Sequence, residues 1–418
     1  MTVPPVDRTA AGLGEPPDDG LFGPMGLRTA WELFISRIRA GELGPLPVVV
    51  GLVLIWTIFQ ILNPVFLSST NLVNLTMQCA AIGTIALGVV LVLLVGEIDL
   101  SVGSVSGLAA AVLAVTFVQL QWPVIVAILA AVAIGCLAGL LYGFLCTRFG
   151  LPSFVITLAG LLGFLGLQLW VLGDTGSINL PFDSWIVEFA QRMFLPVWAS
   201  YAVVGVAVAG YAWSRIRLAR RRTAANLVTQ GYAQIAIRTG ILLAFLLVAV
   251  WYLNLSRGVG VMFLFFLLLV VVANFALTRT RWGRAVYAVG GSVDAARRAG
   301  IRVDRIYLSV FALCSSLAAV GGILAAARLA AANQSSGGGD INLNAIAAAV
   351  IGGASLFGGR GTAYSALLGI VVIQSISSGL TLLNLDSSVR FMVTGVVLVL
   401  AVIVDSLSRR TRAASGRA

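Results

Sequence analysis

Residues 72–95 read LVNLTMQCAAIGTIALGVVLVLLV, twenty-four consecutive residues without a charge. As a helix this stretch is about 36 Å long, which is enough to cross the hydrocarbon core of a bilayer, about 30 Å thick. The 418-residue chain is 59% hydrophobic and only 10% charged, with a mean hydropathy of +1.01, whereas soluble domains are about 25% charged. No water-soluble fold could bury so much apolar surface, so the sequence predicts an all-α polytopic membrane protein.

Twelve apolar segments of this kind predict a transmembrane helical bundle of about 12 spans. They lie near 46–66, 72–95, 101–120, 123–147, 152–172, 195–214, 239–254, 258–278, 306–327, 341–357, 362–383 and 388–405. Some are shorter than a full span. The glycine-interrupted segment 341–357 is expected to form a broken or partly re-entrant helix, which needs protein or water around its freed backbone groups.

The distribution of arginine predicts the orientation of the bundle, because cytoplasmic loops carry an excess of basic residues. With the N-terminus in the cytoplasm and twelve alternating spans, the inside loops hold 23 of the 27 arginines, and the outside loops hold only four. The four are Arg192, Arg257, Arg328 and Arg390. Both termini are therefore expected in the cytoplasm, and the net charge of +11 follows from topology rather than from binding to a polyanion.

The ends of the chain differ from its centre. Residues 1–28 are rich in Pro and Gly and are expected to form a disordered cytoplasmic tail, and residues 29–42 have the pattern of an amphipathic helix at the membrane interface. We expect the transmembrane domain to cover 46–408, with a cytoplasmic loop at 279–305, and a basic cytoplasmic tail to follow at 409–418.

Two absences limit the chemistry. The chain has no His, and every one of its 27 basic residues is Arg, so it has no Lys. A phosphate-binding P-loop, a Schiff base, a Ser-His-Asp triad and a His-ligated metal all need one of these residues. The four cysteines are scattered singly through apolar segments. We therefore expect no catalytic residues, no metal and no cofactor in this chain, and any ATP must be bound by another polypeptide.

The first polar run is GEIDLSVGS at 96–104, which interrupts otherwise continuous apolar sequence. Carboxylates at the membrane edge are costly, so Glu97, Asp99, Ser101 and Ser104 are candidates for lining a solute path. The simpler interpretation is a helix-turn-helix corner, with Ser101 as the cap of the next helix. In both interpretations we expect the run to face the outside.

A second polar run at 333–344 reads NQSSGGGDINLN, and its GDINLN resembles the GEIDLS of the first run. This similarity is a weak sign of an internal repeat, a feature that many transporters have. Amides, hydroxyls and carboxylates without fixed cations suit an uncharged, hydroxyl-rich solute such as a sugar. The candidates in this run are Asn333, Gln334, Asp340, Asn342 and Asn344, although an ordinary wet loop would have the same composition.

The cytoplasmic stretch 282–301 contains the pattern of a short, capped helix. Ser292 is placed as the N-cap, Asp294 in the first turn, Arg297 and Arg298 in the last, and Gly300 as the C-terminal stop. A helix of this kind outside the membrane indicates that a partner docks there, or else a plain surface helix. The candidate docking residues are Arg284, Gly290, Gly291, Ser292, Asp294, Ala295, Ala296, Arg297, Arg298 and Gly300.

Glycines also cluster at 351–362, in IGGASLFGGRGT. They resemble a phosphate cradle only superficially, since no Lys follows and no strand precedes them. Close packing of helices through small residues is the better interpretation.

Four of these pieces, taken together and in order, resemble the permease family of bacterial ABC importers for ribose, xylose, arabinose, galactose and related solutes. The pieces are Glu97–Ser104, Gly283–Gly291, Ala295–Ile301 and Ala347–Leu356. The resemblance covers roughly 45–408. Members typically have about ten spans, and the added region near 195–254 resembles the xylose-type branch, as does PSFVITLAG at 152–160. Ser292 and Arg298 replace residues that are often Asn and Leu in the family.

The resemblance implies a permease subunit in the bacterial plasma membrane that imports a monosaccharide, with xylose as the first expectation and another small solute as the alternative. It implies a homodimer, a separate cytoplasmic ATPase docked on the helix at 292–300, an extracytoplasmic sugar-binding protein, and contact with membrane lipid but not nucleic acid. The chain itself is then a transporter subunit and not an enzyme.

Two alternatives stay open on the residues alone. An ion-coupled secondary transporter would use Glu97 or Asp99 to bind H⁺ or Na⁺. A membrane enzyme would need clustered carboxylates on a large loop, and the longest outside loop offers only Asp174, Asp183 and Glu188.

Overall fold

The computed structural model describes residues 46–225, 231–338 and 340–386, together with single residues between 388 and 403. The predicted tail at 1–28, the interfacial helix at 29–42 and the basic tail at 409–418 lie outside the described residues, as does most of the predicted segment 388–405.

The described chain is a bundle of helices with one small strand pair. The helices are α1 (Leu46–Leu62), α2 (Ser69–Leu94), α3 (Val102–Ala114), α4 (Val124–Phe149), α5 (Ser153–Leu172), α6 (Trp185–Gln191), α7 (Val197–Ala224), α8 (Tyr232–Asn254), α9 (Val261–Arg279), α10 (Arg281–Gly291), α11 (Val293–Arg298), α12 (Val303–Leu329), α13 (Ile341–Ile351) and α14 (Ala363–Leu382). A π-helical turn, Val115–Gln119, extends α3. The strands β1 (Ser177–Asn179) and β2 (Ala331–Asn333) pair antiparallel, with Ser177 opposite Asn333.

Nine helices within the described ranges are long and apolar enough to cross a membrane. Two of the other three predicted segments form shorter apolar helices, and the third, 388–405, lies mostly outside the described residues. Helix α1 has 17 residues, and α13 has 11, so α13 is only about 16 Å long and cannot span a bilayer alone. The expectation of a broken helix at 341–357 is therefore confirmed.

The core of the bundle is formed by α2 and α12, which pack against α3, α4 and α14. Small residues let these helices approach closely, as is typical of membrane bundles. A Cβ added at Gly88 of α2 would lie 2.7 Å from the carbonyl oxygen of Cys314 in α12, and one at Gly352 would lie 1.8 Å from that of Ser365 in α14. The predicted close packing in the 351–362 glycine cluster is thus present at Gly352.

The bundle has two distinct ends. The residues that precede α7 and α9 lie together, because Leu195 N donates to Val259 O (2.9 Å) and Val261 N donates to Met193 O (2.9 Å). Helices α7 and α9 therefore finish at the other end, where α10 and α11 follow and α12 begins. We call this the α10–α11 end. The C-terminus of α7 and the N-terminus of α8 lie there too, and the β1–β2 pair lies at the opposite end with the C-terminus of α12.

Two segments depart from this arrangement of helices that run from one end of the bundle to the other. Both turn back into the bundle. The chain leaves α2 at Leu94, at the α10–α11 end, and runs without regular structure through 95–101 before α3 begins. In the other direction, the chain leaves α12 at the opposite end, passes through β2 and a turn, and starts α13 inside the bundle. Irregular backbone at this depth is tolerated only where protein surrounds it or where it lines a water-filled cavity.

Candidate functional site

The run at 96–101 starts at the α10–α11 end and leads into the bundle interior. At its start, Gly359 N donates to Leu94 O (2.9 Å), next to Gly290 of α10. Two residues beyond Glu97, Asp99 is only 1% exposed and lies beside Cys314, in the middle of α12 (Oδ2 to Sγ, 3.7 Å). The expectation that this run faces the outside is wrong, because the chain doubles back between helices instead of turning at a surface.

Asp99 anchors this segment by accepting two hydrogen bonds from Ser101. Its Oδ1 accepts from Ser101 N (2.8 Å) and from Ser101 Oγ (2.7 Å), both buried. Ser104 Oγ in turn donates to Ser101 O (2.9 Å). No arginine pairs with Asp99 in the described part of the chain. The carboxylate thus fixes the start of α3, and the predicted side-chain cap by Ser101 itself is absent.

Hydroxyls of α5 satisfy the backbone of the irregular segment. Ser153 Oγ accepts from Ile98 N (3.3 Å), and Thr157 Oγ1 accepts from Leu100 N (3.1 Å). Both hydroxyls belong to the xylose-type stretch 152–160. Sequence reasoning missed this role, although two hydroxyls four residues apart on one helix face were the available signal.

The second polar run meets the first inside the bundle. Asn342 Nδ2 donates to Leu100 O (2.6 Å), and Gly337, at φ +71°, leaves no room for a Cβ, which would stand 2.1 Å from Gly103 O. Asn344 Nδ2 donates to Asp340 Oδ2 (2.9 Å). We call residues 98–104 with Gly337, Gly338 and 340–344 the buried junction, where the two polar runs meet.

The buried junction keeps unused hydrogen-bonding capacity. Asn342 Oδ1 and Asn344 Oδ1 are buried and have no partner among the described residues. Asp340 and Leu343, by contrast, are exposed on the same turn of chain. A polar group that is buried without a partner costs free energy, so this site is suited to accept hydrogen bonds from a solute or water.

The predicted path residues therefore separate into three places. Asp99, Ser101, Ser104, Asp340, Asn342 and Asn344 belong to the buried junction. Glu97 lies nearer the α10–α11 end, where its Oε1 accepts from Tyr307 Oη (3.0 Å). Asn333 and Gln334 lie at the opposite end, on and after β2, and Gln334 is exposed.

The fully buried Gln168 of α5 links the end of β2 to the turn that leads into the buried junction. Its side-chain amide donates to Asn333 O (3.1 Å) and Ser336 O (2.9 Å).

A cavity of about 580 Å³ opens at the opposite end, within the size range of small-molecule sites. It is lined mainly by amides, hydroxyls and three arginines: Asn71, Asn74, Met77, Gln78, Gln191, Arg192, Arg257, Arg328, Ser378, Thr381 and Leu382. Ser378 Oγ donates to Asn71 Oδ1 (3.1 Å), and Arg257 donates to Asn74 Oδ1. We call it the outer cavity. Sequence reasoning missed it because single polar residues from distant segments form it.

The capped helix predicted at 292–300 is present as α11. Ser292 Oγ accepts from Ala295 N (3.3 Å), Asp294 lies in the first turn, and Gly300 adopts φ +79°. Most of the candidate docking residues are exposed: Arg284, Gly291, Ser292, Asp294, Ala295, Arg297, Arg298 and Gly300. Ala296 is buried instead, and Gly290 faces the bundle. The exposed residues lie on or next to α10 and α11 and leave a surface with three arginines and one aspartate accessible to a partner.

Helix α10 joins this surface to the end of α2 and to the loop between α13 and α14. A Cβ at Gly290 would lie 1.8 Å from Leu94 O and 2.6 Å from Gly359 N. Tyr287 Oη donates to Gly361 O (2.8 Å), and Trp282 Nε1 donates to Ser309 Oγ (2.8 Å). Burial raises the pKa of the Tyr287 phenol, so Tyr287 remains protonated and able to donate at neutral pH.

The described chain is a bundle of apolar helices with a polar cavity at one end, an interrupted polar centre and an exposed helix pair at the other end. These features together define a membrane transport permease. The chain belongs to the family described as the permease component of the branched-chain amino acid transport system, whose model matches residues 71–402. It is a multi-pass protein of the bacterial inner membrane and an ABC-type sugar permease, and the resemblance to xylose-type permeases is confirmed.

Proteins similar to this chain are named as permeases for xylose or ribose. The chain is 35% identical over 345 residues to the xylose transport system permease protein XylH of Escherichia coli (strain K12), covering 82% of this chain and 87% of that protein. Its identity to the same-named protein of Haemophilus influenzae is 34%, with 82% and 91% covered. The ribose import permease protein RbsC of Escherichia coli (strain K12) is 30% identical, with 85% and 92% covered. No solved structure was found to match. Membership of this family implies association with an ATPase and a substrate-binding protein.

Proposed function

We propose that this chain, as a homodimer, carries xylose across the membrane by alternating access, driven by a separate ATPase that docks on α10 and α11. The sugar enters at the outer cavity and passes the buried junction. The names of similar proteins support a pentose as the substrate, and the cavity chemistry suits a solute whose hydroxyls each donate and accept hydrogen bonds.

One observation carries the proposal, namely the contact of Gly290 with both Leu94 and Gly359. Leu94 is where the first interrupted segment begins, and Gly359 lies in the loop between α13 and α14. A displacement of α10 therefore has to move the end of α2 and the loop between α13 and α14, because no space separates their backbones from that of Gly290. Packed contacts of this kind switch between discrete arrangements rather than deform gradually.

The buried junction supplies the barrier in the centre of the path. Its two segments are tied by the bond from Asn342 to Leu100 O and by the close approach of Gly337 to Gly103. Separating them would expose the unpartnered oxygens of Asn342 and Asn344 to the solute. We infer that ATP binding by the partner, transmitted through α10, alternately closes and opens this junction.

The test is uptake of radiolabelled xylose in cells that express the chain with its binding-protein and ATPase partners, compared with cells that lack the ATPase. ATPase-dependent uptake, competed by unlabelled xylose, is the expected result. Uptake that persists without the ATPase would contradict the proposal and favour ion coupling through Asp99, which has no cationic partner within the described residues. ATPase-dependent uptake of a different sugar would leave the mechanism standing and overturn only the choice of xylose.

A further inference from the structure

The C-terminal part of α7 and the N-terminal part of α8 are strongly basic and have no role in the function proposed above. Six arginines lie in this region: Arg215, Arg217, Arg220, Arg221, Arg222 and Arg238. No Asp or Glu occurs anywhere between Glu188 and Asp294. This region is therefore positively charged without an acidic neighbour in its own sequence, at the end of the bundle that the arginine distribution makes cytoplasmic.

Two of these arginines enclose a small cavity between α7 and α8. The cavity measures about 160 Å³ and is lined by Arg215, Leu218, Ala219 and Arg222 of α7 and by Ile235 of α8. The four α7 residues follow the i, i+3, i+4, i+7 spacing and so lie on one helix face. The two arginines are two turns apart, about 10 Å along the helix axis. We call this the hairpin cavity.

The floor of the hairpin cavity is apolar and its walls are cationic. Ala219 is 6% exposed and Ile235 is 5% exposed, while Arg215 is half-buried and stacks its guanidinium over the Tyr211 ring, 5.2 Å from the centroid. Neither Arg215 nor Arg222 has a hydrogen-bond or ion-pair partner among the residues that the structure describes. The cavity thus presents two unneutralised guanidinium groups, whose fork geometry matches phosphate oxygens.

The surroundings of the hairpin cavity identify where that phosphate would come from. Exposed apolar and aromatic side chains lead up to it on both helices: Val206 and Trp213 on α7, and Tyr232, Ile237 and Ile241 on α8. Few of the residues in the apolar stretch of either helix are buried inside the bundle, 17% in α7 and 11% in α8. Trp and Tyr gather at the headgroup level of membranes, so acyl chains would cover these faces while the cavity lies at the depth of the headgroups.

We propose that the hairpin cavity binds the phosphate of an anionic phospholipid, with Arg215 and Arg222 as its ligands. Basic pockets between membrane helices on the cytoplasmic side are suited to acidic headgroups. The apolar faces beside the cavity hold the acyl chains of the same lipid, which a free phosphate ion lacks. The bound lipid ties the tip of α7 to that of α8.

The experiment uses the purified full-length chain in detergent, titrated with phosphatidylglycerol and followed by native mass spectrometry. The variant Arg215→Gln/Arg222→Gln is compared with Arg217→Gln/Arg220→Gln, which removes the same charge from the same helix but outside the cavity. We expect the first pair to weaken lipid binding at least about tenfold and the second to change it less than about twofold, since charge-assisted bonds need a fixed geometry. A third variant, Arg215→Lys/Arg222→Lys, keeps the charge but loses the paired N–H donors of each guanidinium group. It should show intermediate lipid binding. Circular dichroism checks that all variants fold.

Several results would overturn the proposal. Equal weakening by both Gln pairs would mean that diffuse charge attracts lipid and that the cavity is not a site. Displacement of the lipid by millimolar inorganic phosphate would identify a free-anion site. If the Arg215/Arg222 pair lost the ATPase while retaining the lipid, the arginines would instead dock the partner protein.

Discussion

The backbone of Gly290 in α10 lies against the carbonyl oxygen of Leu94 at the end of α2, so closely that an added Cβ would stand 1.8 Å from that oxygen. Gly290 is followed by Gly291, where an added Cβ would meet nothing within 4 Å. One glycine is therefore required by packing against the interrupted segment, and its neighbour is not. This contrast allows the coupling proposed for α10 to be tested with two substitutions one residue apart.

The first prediction concerns this pair. Gly290→Ala should force α10 away from Leu94 and Gly359, and overpacking of this kind typically costs about 1–3 kcal/mol of stability. We expect a lower melting temperature of the purified protein and a severe loss of xylose uptake. Gly291→Ala is the matched control for packing and should leave the melting temperature near wild type, because an added Cβ there meets nothing within 4 Å. If both variants lowered the melting temperature alike, Gly290 would not be the packing contact that ties α10 to Leu94.

A second prediction concerns the bond that joins the two polar runs. Asn342→Leu keeps the size of the side chain but leaves Leu100 O without its donor, which costs about 1–3 kcal/mol when the acceptor remains buried. We expect reduced thermal stability and reduced uptake. Gln334→Leu, on the exposed turn at the opposite end, should have little effect on stability. An unaltered melting temperature in Asn342→Leu would show that the junction is not held by this bond.

Asp99 allows a third prediction, in which two substitutions test whether its carboxylate anchors the start of α3. Asp99→Asn retains an oxygen that can accept from Ser101 N and Oγ, whereas Asp99→Ala removes both bonds and should destabilise the protein by about 1–3 kcal/mol. We therefore expect Asp99→Asn to assemble with the ATPase and Asp99→Ala to be recovered in low yield. Normal assembly of Asp99→Ala would contradict the anchoring role of this carboxylate.

The fourth prediction tests α11 as the docking helix. Gly300 has φ +79°, a conformation that costs a β-branched residue about 1–2 kcal/mol. Gly300→Val should distort the end of α11 and lower the amount of ATPase that copurifies with the chain. Ala299→Val, whose φ is −79°, changes the same surface without this strain. Equal ATPase recovery with both variants would remove the case for α11.

The fifth prediction tests the outer cavity. Gln78 lines it and sits on the same helix as Thr76, which does not. If Gln78 binds the sugar by one hydrogen bond, Gln78→Leu should lose about 1 kcal/mol of binding and raise the KM for uptake about fivefold. Thr76→Val should leave the KM unchanged. A change in maximal rate without a change in KM would argue that Gln78 is not a sugar ligand.

Local patterns in the sequence were sufficient to predict much of this architecture. Continuous apolar stretches located the long helices, because a bilayer imposes their length whatever their neighbours are. The capping residues Ser292 and Gly300 located α11, because caps act on the backbone within a few residues. The interrupted pattern at 341–357 likewise predicted the short α13.

Features that depend on distant segments could not be predicted in this way. The direction of the 96–101 run is decided by Ser153 and Thr157, more than fifty residues away, and the outer cavity draws on the ends of several elements. Helix α10 was missed because Gly283, Gly290 and Gly291 disfavour helix. The buried Val286 and Val289, spaced for one helix face, were the signal that it forms nonetheless.

The most direct test of the central claim is xylose uptake into liposomes that contain either the purified chain alone or the chain with its ATPase, binding protein and ATP. The account predicts uptake only in the complete system, and its loss in Gly290→Ala while ATP is still hydrolysed. Uptake by the chain alone under a proton or sodium gradient would contradict it.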